Sequence, residues 1–91
     1  MFKKTEYGVG NEQGVEVIQI NRHQILYQRP DRSATFEMEI SADNKQISIY
    51  MDSKRRWDPP HDREAIWDAD KERIRRELKE AFAFKGMEVE F

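Results

Sequence analysis

The chain has 91 residues, with 16 Lys+Arg against 18 Asp+Glu, a formal net charge of −2 and no cysteine. A chain of that length is one domain near the lower limit of unaided folding, and without cysteine it has no disulfides, thiol nucleophiles or thiolate metal sites. Charge is balanced in both halves: residues 1–53 hold 6 basic and 8 acidic side chains and residues 54–91 hold 10 of each, which disfavours a partner whose phosphates must be neutralised, such as a nucleic acid.

Taken in order, residues 1–14 are polar, contain Gly8, Gly10 and Gly14, and read as a loose N-terminal arm of a single domain spanning 1–91. Val15 to Ile20 is short and β-branched, a strand. Asn21-Arg22-His23 reads as a turn, Gln24 to Arg29 as a second strand, and Pro30-Asp31 as its end, since proline has no N–H to pair. From Ser33 to Ile40, Ala34, Phe36, Met38 and Ile40 alternate with Ser33, Thr35, Glu37 and Glu39, which defines a strand with one buried and one wet face. Ser41 to Asn44 is a turn, and Lys45 to Met51 a fourth strand with Ile47, Ile49 and Met51 on one side. Short connections favour an antiparallel meander.

Beyond Asp52 the two prolines of Trp57-Asp58-Pro59-Pro60-His61-Asp62 predict a rigid, extended loop. A helix follows, with Ile74, Leu78, Ala81 and Phe82 on one stripe, Asp68 as the expected N-cap and Gly86 as the residue that ends it. Met87 to Phe91 alternates again as a last strand. The expected architecture is α+β: an antiparallel sheet of about four to five strands, one C-terminal helix packed on one face, and a last strand after it. The opposite face stays open, with Leu26, Tyr27 and Tyr50 expected on it.

Catalytic motifs are missing: there is no nucleophile elbow, phosphate loop or His-Glu-x-x-His. Gly8-Val9-Gly10 precedes a strand instead of following one, so it fails as a dinucleotide loop. His61, Asp62 and Asp58 are close in sequence, but a stretch stiffened by two prolines splays alternate side chains, so no metal site is expected. The chain reads as a non-enzymatic protein without a cofactor. The residues that invite a function are Arg55, Arg56, Trp57 and Trp67, since Trp and Arg are enriched at the centres of protein interfaces. Trp57 has two readings, an indole closing one end of the core or an anchor on a partner.

The run Ile49-Tyr50-Met51-Asp52-Ser53-Lys54-Arg55-Arg56-Trp57-Asp58-Pro59-Pro60-His61-Asp62, followed by a helix ending in Phe84-Lys85-Gly86-Met87-Glu88-Val89, resembles the immunity protein 74 family. The likeness covers about residues 45–91 and extends more weakly into the second and third strands. It implies a small bacterial protein that neutralises a cognate toxin by direct binding. No apolar run approaches the ~20 residues of a membrane span, and Met1 to Glu6 lacks the pattern of a secretory signal, so the expected location is the cytoplasm and a membrane is not an expected partner. A second expectation is a self-associating structural or adaptor protein, joined through an exposed sheet edge or, as a homodimer, through the open face of the sheet.

Overall fold

A computed structural model describes residues 1–91. Seven strands lie side by side in chain order: β1 (Lys3–Lys4), β2 (Val9–Gly10), β3 (Glu16–Asn21), β4 (Gln24–Gln28), β5 (Ser33–Ile40), β6 (Gln46–Tyr50) and β7 (Glu88–Glu90). Every neighbouring pair is antiparallel up to β6, whereas β7 runs parallel to β6. A parallel return needs a long crossover, here the helix α1 (Asp68–Phe84) and the segment before it. The class is α+β as expected. The sheet, however, has seven strands instead of four or five, and its last pairing is parallel.

The two extra strands come from the segment read as a loose arm. Lys3 and Lys4 pair with Gly10 and Val9, and Val9 and Gly10 pair in turn with Val17 and Glu16. Phe2 and Val9 are buried in the core. The glycines there mark close packing: a Cβ on Gly8 would strike the carbonyl oxygen of Val17, so the β1–β2 turn lies against β3 only because the side chain is absent.

The alternating strands are where the sequence places them. Cross-strand partners Ile25–Phe36, Tyr27–Ala34 and Met38–Ile49 put one apolar set on one face. These residues share a single core cluster with Ile74, Leu78, Ala81 and Phe82 of α1, and full burial of each large apolar side chain contributes about 1.5–3 kcal/mol. Tyr27 belongs to this core, fully buried, and not to the open face where it was expected. Its position two residues from Ile25 fixes that parity.

The helix starts one residue earlier than the Asp68 cap anticipates. Trp67 is the N-cap, its backbone N–H donates to Asp70 Oδ2 at 3.3 Å, and Asp68 and Asp70 sit in the first turn where the helix dipole favours acids. At the other end Gly86, with φ +78°, lets Met87 N–H reach the Phe82 carbonyl at 2.8 Å while its own N–H reaches Ala83 at 3.0 Å. Those two bonds satisfy carbonyls the helix would otherwise leave open. The helix is neither long nor apolar enough to cross a membrane.

Candidate partner-binding groove

Trp57 to Asp62, expected as a rigid, extended loop, instead lie within an irregular hairpin in which residues 54–66 fold back on themselves. Trp57 N–H donates to the Glu64 carbonyl at 3.1 Å, Ile66 N–H to the Arg55 carbonyl at 2.9 Å, and Arg56 bridges Ala65. The tip is tightened by His61 N–H to the Asp58 carbonyl and Glu64 N–H to the His61 carbonyl, both at 3.0 Å, and the Pro59–Pro60 peptide is cis. One side of the hairpin is tied to β5: Asp58 N–H donates to the Ser33 carbonyl at 2.8 Å, and the Asp58 carboxylate accepts from the Thr35 hydroxyl at 2.9 Å and pairs with Lys54 at 2.6 Å. Burial pushes the Asp58 carboxyl up, but Lys54 and Thr35 outweigh it and hold the group below its ordinary 3.8.

Beneath the hairpin lies a chain of buried polar groups. The Tyr27 hydroxyl donates to Glu77 Oε1 at 2.7 Å and accepts from Arg29 Nε at 2.9 Å, and Arg29 Nη1 donates to Asp70 Oδ1 at 3.2 Å. Arg73 Nε adds a second donor to Glu77 at 3.0 Å, an i,i+4 pair on the helix. Burial, and then the Glu77 carboxylate, push the Tyr27 hydroxyl up to about 12. Burial works against the Arg29 charge as well, but the Tyr27 hydroxyl and Asp70 more than compensate and raise its pKa. The Arg29 guanidinium lies 4.9 Å and that of Arg32 5.5 Å from the Trp57 ring centroid, within cation–π range.

On this base sits a groove of about 340 Å³. Trp57 and Ala65 lie along it with Arg32, Arg56, Arg63 and Trp67, and the carboxylates of Glu64 and Asp70 reach it as well. Two of the four singled-out residues, Arg56 and Trp67, meet there as exposed side chains, Trp67 with 70% of its surface open. Arg55 is exposed on the same hairpin but outside the lining. Trp57 is 1% exposed and therefore belongs to the core reading, sealing the end of the core beneath the groove. As an anchor inserted into a partner it is unsuitable, because its indole is already enclosed by Arg29 and Arg32.

The acids of the groove are engaged: Glu64 with Arg32 at 3.3 Å and Asp70 with Arg29 at 3.2 Å. Two of the arginines that line it, Arg56 and Arg63, are free, as is Arg55 outside it. Arg55, Arg56 and Arg63 form no ion pair, and Arg56 reaches only the Arg63 carbonyl at 3.4 Å. Asp58 turns toward Lys54 and Thr35, and no three metal-ligating side chains converge there or elsewhere in the molecule. Sequence reasoning missed Arg32, which comes from the connection between β4 and β5, Arg63, which the reversal at residues 58–63 brings to the groove, and the buried trio Tyr27, Arg29 and Glu77. For Glu77 a signal was present, an acid within the apolar stripe between Ile74 and Leu78.

An α+β scaffold that holds unpaired arginines on a braced hairpin beside an exposed tryptophan at the start of α1 defines a small protein with a preformed polar groove. The chain belongs to the immunity protein 74 family, whose model matches residues 17–91. The match begins inside β3 and takes in the hairpin, α1 and β7, so the likeness seen in the second half extends over most of the chain. No curated protein and no solved structure matches it.

Proposed function

We propose that the protein is a bacterial immunity protein that neutralises a cognate toxin by direct, non-catalytic binding, and that the hairpin bearing Arg55 and Arg56, with Trp67 at the adjoining start of α1, forms part of the contact surface, with Trp57 holding that surface from below. The family match over residues 17–91 carries this reading. The groove supports it independently. Its backbone is cross-tied, so little conformational freedom is lost on docking, and it offers Trp and Arg, the residue types that dominate interface energetics. Its proposed place of action is the cytoplasm.

The test is co-expression in a bacterial host with a candidate cognate toxin domain. Wild-type protein restores growth and co-purifies with the toxin at equal stoichiometry. Growth arrest that persists despite abundant, folded protein contradicts the reading, as does rescue without complex formation.

A further inference from the structure

We propose that the groove between the 54–66 hairpin and the start of α1 receives an acidic loop of the partner protein, two of its carboxylates engaging Arg56 and Arg63 while an apolar side chain packs on Trp67. This assignment of partner chemistry rests on the toxin-binding reading above. It follows from how charge is spent in the groove. Glu64 and Asp70 would normally cancel neighbouring arginines, but each is already held by another one, Arg32 at 3.3 Å and Arg29 at 3.2 Å. Arg56 and Arg63 are thereby left as uncompensated positive groups on opposite arms of one hairpin, joined by the 3.4 Å contact from Arg56 Nη1 to the Arg63 carbonyl.

The positive rim stands on a protein whose net charge is −2. A nearly balanced charge supplies no overall attraction for a polyanion, and two or three free arginines are too few to hold a nucleic acid by phosphate neutralisation. A local cluster of carboxylates suits the site better, because guanidinium binds carboxylate in a fixed fork and the charges steer encounter without a large overall field. Trp67, 70% exposed beside these arginines, adds an apolar platform that a purely ionic ligand would leave unused.

The experiment is an NMR titration of the isotopically labelled full chain with three probes: a capped peptide alternating glutamate and leucine, its glutamine–leucine counterpart, and a short oligothymidylate. The glutamate peptide is expected to shift the Trp67 indole and the Arg56 and Arg63 Nε resonances and leave the Trp57 indole unmoved. Its affinity is expected to fall about tenfold in Arg56→Gln/Arg63→Gln. Equal binding of the glutamine peptide, tighter binding of the oligothymidylate, shifts confined to another face, or no shift at all overturns the proposal. The co-expression assay separates the two claims. If Arg56→Gln/Arg63→Gln still rescues growth, the acidic-loop assignment falls and the toxin-binding reading stands; if wild type fails to rescue, the toxin-binding reading falls whatever the peptides do.

Discussion

Trp57 is held from two sides, by Arg29 and Arg32 over its ring and by the core around it, with 1% of its surface exposed. Its truncation opens a large cavity and strips two guanidiniums of their partner, so Trp57→Ala is expected to cost about 3–5 kcal/mol in a denaturant titration. Tyr27 gives a pH signature. Its hydroxyl is pushed up to about 12 by burial and by Glu77. A group whose pKa is raised on folding stabilises fully below its unfolded value near 10 and loses that contribution as pH climbs through the folded value. Stability should therefore fall by about 2–3 kcal/mol between pH 10 and pH 12, and Tyr27→Phe, less stable at pH 7, should lack that fall. An alkaline unfolding series of the two proteins checks it. Trp57 was legible in the sequence as a residue with two readings, whereas its partners were not: a buried Arg29 looks like any charged residue beside a turn until tertiary structure brings Tyr27, Asp70 and Trp57 around it.

Elements were legible in proportion to the purity of their periodicity. β5 needed only the alternation of Ala34, Phe36, Met38 and Ile40, and α1 only its stripe and its closing glycine. The helix start slipped by one residue because an acid in the first turn and an acid at the cap look alike in sequence; the backbone N–H of Trp67 finding Asp70 decides it. β1 and β2 escaped because two-residue strands have no period, and because glycines required by close packing look the same as glycines in a loose arm. The 54–66 hairpin escaped because few side chains announce it and its backbone bonds, Trp57 to Glu64 and Ile66 to Arg55, close an irregular loop that has no period to read. At the helix end, Gly86 sits at φ +78° with open space around its Cβ position, so conformation alone opposes substitution. Gly86→Ala should cost about 1 kcal/mol on thermal unfolding. For the hairpin, Asp58 is held below 3.8 by Lys54 and Thr35 against the opposing effect of burial. A carboxyl depressed on folding stabilises above its unfolded pKa and loses that contribution as pH falls through the folded value. Asp58→Asn should therefore weaken the protein at pH 7 and shrink its loss of stability below pH 4, measured as an acid unfolding curve.

For the whole molecule, the sheet and helix place a hydrogen-bonded hairpin against the start of α1, above the buried contacts of Tyr27, Arg29 and Glu77. In the proposed reading, stability and binding are divided between neighbours: Trp57 and Arg29 are buried and serve the first, while Trp67, Arg56 and Arg63 are exposed and serve the second. Trp67 is therefore the residue to vary, since its removal should leave the fold intact. The measurement is calorimetric titration of wild type and Trp67→Ala with the cognate toxin domain, alongside their melting temperatures. Unchanged melting and an affinity loss of about thirtyfold or more, the scale of an interface hot spot, are expected. Unchanged affinity in a folded Trp67→Ala protein would contradict the proposed contact surface and place the toxin on another face.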